Sequence, residues 1–83
     1  MTTETREIRL KRLTMRSMRR GMKEMDILLM RYSERCLSDL TDKELDLYEA
    51  LLSENDQDLY QWVSGQVTAP ERFTDLIGAI ARA

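Results

Sequence analysis

An all-α fold, a compact five-helix bundle, is what this sequence predicts, on three observations. The 83 residues include only three glycines and one proline, so few positions break a helix. Leu, Met, Arg, Glu and Asp are abundant while Val, Ile, Phe, Tyr and Trp are few, which leaves little to build a sheet. Apolar residues also recur at three- and four-residue steps along most of the chain. The length suits a single helical domain over residues 1–83, ordered from about residue 5 to 82, with one modest core and no second domain.

Helix 1 is predicted from about Glu4 to Met18, where Ile8, Leu10, Leu13, Met15 and Met18 stand among many arginines, with Thr2 or Thr3 as its cap. Helix 2 runs from Met22 to about Arg35 on Met22, Met25, Leu28, Leu29 and Tyr32, the cleanest core pattern of the chain. Thr41-Asp42-Lys43-Glu44 is a capping-box pattern that starts helix 3, whose apolar stripe is Leu45, Tyr48, Leu51 and Leu52. Ser53 or Asn55 caps a short helix 4. Asp56 and Asp58 lie near its positive end, Leu59, Trp62 and Val63 lie inward, and Gly65 stops it. Pro70 suits the first turn of helix 5, which buries Phe73, Leu76, Ile77 and Ile80.

Gly21 breaks a local rule, because the residues on both sides of it read as helix. A glycine inside a helix costs on the order of 1 kcal/mol relative to alanine, and Arg19 and Lys23 would repel across one helical turn. Arg20 and Glu24 are also four apart, yet arginine before glutamate is the weaker order and a surface pair contributes only about 0 to 1 kcal/mol. Two readings stand: a simple bend, or a shallow spot where a partner backbone approaches while Arg20 and Glu24 offer opposite charges.

Composition excludes several classes of chemistry. With no histidine and a single cysteine, the chain lacks the usual zinc constellations, Ser/His and Cys/His nucleophiles, and any internal disulfide, so no catalytic or metal site is expected. Cys36 reads as a buried, reduced thiol. No apolar run approaches the roughly 20 residues that span a bilayer, and no stable membrane insertion is expected. Met1-Thr2-Thr3-Glu4 lacks a signal-peptide core, and structured-looking sequence follows almost at once, which predicts no removable leader and a bacterial cytoplasmic location.

Charge is unevenly spread. Residues 1–35 carry ten Lys or Arg against five Asp or Glu, and residues 36–83 carry three against ten. Such halves form either a basic and an acidic face that orient a partner, or a pair that neutralises itself within the fold. Arg6, Arg9, Lys11, Arg12, Arg16, Arg19 and Arg20 resemble a nucleic-acid footprint in charge only, since no aromatic residue among them stacks on bases, and no nucleic-acid partner is expected. The methionines of the first two helices read mainly as core, with Met18 the one expected at the surface. Asp56 and Asp58 read as helix-end carboxylates and Trp62 as a core anchor.

Arg20-Gly21-Met22-Lys23-Glu24-Met25-Asp26, followed by Asn55-Asp56-Gln57-Asp58-Leu59-Tyr60-Gln61-Trp62, resembles the succinate dehydrogenase assembly factor family of small flavinylation factors. The R-G-x-x-E and D-x-D-L-x-x-W signatures match in order, and the likeness covers roughly residues 5–80. The resemblance implies a five-helix protein, not itself an enzyme, that binds the flavoprotein subunit of succinate dehydrogenase or fumarate reductase and promotes covalent attachment of FAD. It implies that FAD and the acceptor histidine belong to the partner and that this chain binds no cofactor of its own. Arg20, Gly21 and Glu24 would form the centre of the partner-binding surface, with Arg19, Lys23 and Asp26 beside them. Asp58 is left open by the match. The competing classes are a small nucleic-acid-binding protein and an antitoxin-like interaction module.

Overall fold

Helix boundaries follow the local hydrogen-bonding chemistry of the residues that cap them. The computed structural model describes residues 4–18 and 20–83. Within them lie α1 (Arg6–Arg16), α2 (Lys23–Cys36), α3 (Asp42–Leu52), α4 (Asp56–Val63) and α5 (Thr74–Arg82), with 3-10 turns at Leu37–Asp39 and Glu71–Phe73. The expected all-α architecture of five helices is observed.

α1 is shorter than predicted at both ends. The Thr5 hydroxyl accepts from the Ile8 amide at 3.2 Å and so fixes the start at Arg6. Thr2 and Thr3, the expected caps, lie outside the described residues. α3 carries the complete capping box: the Thr41 amide donates to Glu44 at 2.8 Å and the Glu44 amide donates to the Thr41 hydroxyl at 3.2 Å. Asn55 caps α4 by accepting from the Gln57 amide at 2.8 Å, and Gly65 follows the helix at φ +83°, a conformation that favours glycine. Pro70 does not open α5 as predicted. Its carbonyl accepts from the Phe73 amide at 2.9 Å, which closes a 3-10 turn first, and α5 begins at Thr74.

The core joins all five helices. Leu13 of α1, Met25 and Leu29 of α2, Leu45, Tyr48 and Leu51 of α3, Leu59 of α4 and Ile80 of α5 are fully buried. Each such side chain contributes roughly 1.5–3 kcal/mol relative to an exposed position. Tyr32 and Tyr48 pack with ring centroids 5.4 Å apart, and half-buried Trp62 lies 6.0 Å from Phe73. A buried polar link joins α1 to α3, where the Ser17 hydroxyl bonds the Tyr48 hydroxyl at 2.6 Å and donates to the Leu13 carbonyl at 2.8 Å. Burial pushes the Tyr48 hydroxyl up to about 12, which keeps it neutral.

The two charged halves neutralise one another. Arg6 pairs with Asp42 at 3.1 Å, Arg9 with Asp46 at 2.6 Å and Glu49 at 3.1 Å, and Arg12 with Glu49 at 3.0 Å. Arg12 also holds Glu4 at 2.7 Å. A helical repeat of three to four residues carries these arginines up one face of α1, and they meet the acidic side of α3. The same rotation turns Ile8 and Met15 outward, 55% and 73% exposed. Met15, not Met18, is therefore the exposed methionine of α1; Met18 is half-buried. Cys36, expected to be buried, ends α2 as a half-buried free thiol.

Candidate functional site

Gly21 lies between helices, not inside one. Its φ is +98°, in the region that favours glycine, and it joins α1 to α2 through an exposed turn. No atom outside its chain neighbours comes within 4 Å of where a Cβ would stand. The helix penalty inferred from the sequence therefore does not apply. Because α1 ends at Arg16 and α2 begins at Lys23, the four-residue spacings across Gly21 are not helical ones. Arg20 and Glu24 do not share a helix face, and no ion pair joins them among the described residues.

Arg20 instead turns into the protein and clamps the connection between α3 and α4. Its Nε donates to Asp56 Oδ1 at 2.5 Å, Nη1 to the Leu52 carbonyl at 2.9 Å and Nη2 to the Glu54 carbonyl at 3.0 Å. Leu52 closes α3, and Glu54 stands between the two helices, so the guanidinium serves carbonyls that lack a helical partner. A planar five-donor head is suited to this task, since a lysine has no fork to reach three acceptors at once. The side chains of Arg20 and Asp56 are only 13% and 19% exposed, so this pair is mostly shielded from water.

A second tie fixes the other side of the turn. The Arg20 amide donates to Asp26 Oδ1 at 2.6 Å, so the first turn of α2 reaches back to the residue before Gly21. Met22 precedes α2 in an extended conformation, without a side-chain cap. Between the two ties, Gly21, Lys23 and Glu24 are exposed side by side, while Arg20 and Asp26 are half-buried beneath them. Arg19 lies outside the described residues. The five described candidates thus come together in one turn and divide into two layers: Gly21, Lys23 and Glu24 face solvent, and Arg20 and Asp26 hold the turn in shape.

The two sequence signatures are one structural unit. Asp56, read from sequence as a helix-end carboxylate, is also the counter-ion of Arg20, a role that no local pattern discloses. Asp58 is exposed and makes no ion pair among the described residues. Leu59 is fully buried and Trp62 packs on Phe73, in keeping with an anchoring role for the indole. Among the described residues no group of three His, Cys, Asp or Glu side chains is arranged to hold a metal ion. What this turn offers is an open backbone and exposed charges on a fixed support, a geometry for recognition.

A family model described as flavinator of succinate dehydrogenase matches residues 11–83, which takes in both signatures. The chain belongs to this family. Succinate dehydrogenase assembly factor 2, mitochondrial, of Meyerozyma guilliermondii is 40% identical over 77 residues, covering 89% of this chain and 57% of the relative. The protein of the same name from Scheffersomyces stipitis is 44% identical over 61 residues, 74% of this chain and 41% of the relative. The FAD assembly factor SdhE of Vibrio cholerae is 47% identical over 47 residues, 57% of this chain and 55% of the relative. This chain thus spans about half the length of the curated relatives it matches. The family membership agrees with the resemblance read from the two signatures.

One expectation is overturned. The sequence reading placed the protein in a bacterial cytoplasm without a leader, whereas the fungal relatives at 40% and 44% identity are mitochondrial by name. A short polar start carries no information about compartment, and that assignment is withdrawn. Separately, no helix among the described residues is long and apolar enough to cross a membrane.

Proposed function

We propose that this protein is an assembly factor without catalytic activity of its own, which docks on the flavoprotein subunit of succinate dehydrogenase, or fumarate reductase, and promotes its covalent flavinylation. The observation that carries this reading is the Gly21 turn, held open by Arg20 and Asp26 within a chain of the flavinator family. Gly21 supplies clearance for a partner backbone, and Lys23 and Glu24 supply charge of both signs beside it. Arg20 acts chiefly from beneath, by setting the shape of the turn. The paired arginines of α1 support a protein partner over a nucleic acid, because they already face carboxylates of α3.

In this mechanism the chain positions and the flavin reacts. Docking restricts the flavoprotein to arrangements in which its own FAD and acceptor histidine meet, and proximity of that kind lowers a barrier without any new functional group. FAD stays with the partner. Co-expression with the flavoprotein subunit, followed by in-gel flavin fluorescence under denaturing conditions, tests the reading: covalent flavin rises with this protein present. Gly21→Arg fills the clearance and removes the left-handed glycine, so it abolishes flavinylation and pull-down while circular dichroism stays helical. Covalent flavin that is unchanged with and without the protein would sink the proposal.

A further inference from the structure

A groove between α2, α3 and α5 lies apart from the Gly21 turn and encloses about 270 Å³. Leu40, Leu47, Leu76 and Ala79 supply its apolar walls, and Tyr32, Glu44 and Asp75 supply its polar groups. Tyr32 is only 3% exposed, yet its hydroxyl makes no hydrogen bond among the described residues. No side-chain oxygen or nitrogen among them is both sealed from solvent and unbonded, so this oxygen meets open space, and the space its side chain lines is the groove. A hydroxyl in that position can exchange water for a polar atom of a ligand.

The two carboxylates set the sign of that ligand. Glu44 uses Oε1 to accept from the Thr41 amide at 2.8 Å, and that backbone bond holds its carboxyl below the usual 4.5. It is therefore ionised at neutral pH. Asp75 lies in the first turn of α5, and neither acid pairs with a Lys or Arg among the described residues. An apolar occupant would leave the Tyr32 hydroxyl unsatisfied, and an anion would face two negative charges. A cation on an aliphatic stem meets all three polar groups and the walls together.

We propose that this groove receives a lysine or arginine side chain of the docked flavoprotein, its methylenes against Leu47, Leu76 and Ala79 and its head group between Glu44, Asp75 and the Tyr32 hydroxyl. The inference rests on the docking function proposed above and adds a second, separate point of attachment. It also gives the acidic half of the chain a role that the α1 arginines do not consume.

The test has two arms. In the first, amide chemical shifts of the full chain are followed during titration with n-butylammonium, the lysine side-chain analogue, and with 1-butanol as its neutral counterpart. Saturable shifts near Leu47, Leu76 and Ala79 are expected from the amine alone, and weaker ones in Tyr32→Phe. In the second, Kd for the flavoprotein is measured for the double variant Glu44→Gln, Asp75→Asn, and it should rise about five- to tenfold. Glutamine still completes a capping box, so the fold is retained. Equal response to amine and alcohol, or an unchanged Kd in the double variant, overturns the groove assignment. The parent and Gly21→Arg separate the two claims: a parent that does not bind the flavoprotein fails the docking function itself, a Gly21→Arg that binds like the parent removes the Gly21 turn from the interface, and a Gly21→Arg that alone loses binding fails only the groove.

Discussion

Replacing Asp56 by alanine probes whether the Gly21 turn depends on the helix connection beneath it. Asp56→Ala removes the carboxylate held by Arg20 Nε at 2.5 Å, in a pair whose side chains are 13% and 19% exposed. A hydrogen bond to a charged group contributes about 1.5–3 kcal/mol. Asp56 is also the first residue of α4, where a negative charge adds roughly 0.3–1 kcal/mol against the helix dipole. The full cost of an orphaned buried charge, about 3–5 kcal/mol, is not reached, because the guanidinium keeps the Leu52 and Glu54 carbonyls. The expected loss is therefore about 2–3 kcal/mol, a fall in Tm of roughly 10–20 °C for a domain of this size. Urea unfolding gives the first value and a thermal melt the second. Flavoprotein binding, measured where the variant is still folded, should also weaken, since the turn loses one of its two ties. A loss below about 0.5 kcal/mol, or strict additivity of Asp56→Ala with Arg20→Met in a double-mutant cycle, would refute the clamp.

Three further outcomes follow from the geometry. Ser17→Ala leaves the buried Tyr48 hydroxyl without its 2.6 Å partner and should cost about 1–3 kcal/mol in urea unfolding, and adding Tyr48→Phe should recover part of that loss. Thr41→Ala removes the cap of α3 and should destabilise by about 1 kcal/mol, read as a lower thermal midpoint with unchanged helical content. The hydrogen bond from Arg12 holds the carboxyls of Glu49 and Glu4 below their ordinary 4.5, so the stabilisation from these pairs is complete above that value and lost as the pH falls below it. Glu49→Gln should flatten this acid limb in denaturation curves taken from neutral pH downward, and high salt should flatten it in the parent; an identical limb in Glu49→Gln would exclude the α1 ladder as its source.

Local chemistry made most of the secondary structure legible in the sequence. The capping box at Thr41 and Glu44, the Asn55 cap and the stop at Gly65 act within four residues of chain, and each is where the pattern placed it. Periodicity likewise identified the inward stripes of α2, α3 and α5, because burial of one helix face needs only helical spacing. The same logic failed at Met15 and Met18. In α1 only Leu13 is fully buried, and the face turned toward α3 is carried by arginines that reach carboxylates on that helix, which an apolar count cannot register.

The Gly21 turn shows the division most clearly. By itself, the sequence determined that Gly21 interrupts the helical pattern between Arg20 and Glu24, and its two signatures pointed to a family that the family model then matched over residues 11–83. Only the tertiary structure decided what each residue does there. Arg20 and Asp56 are 36 positions apart in sequence and meet because α3 and α4 fold back under the end of α1. The unpaired carbonyls at Leu52 and Glu54 exist only once those helices end side by side. A spacing rule sees neighbours along the chain, whereas a buried guanidinium takes its partners from wherever packing leaves acceptors unsatisfied.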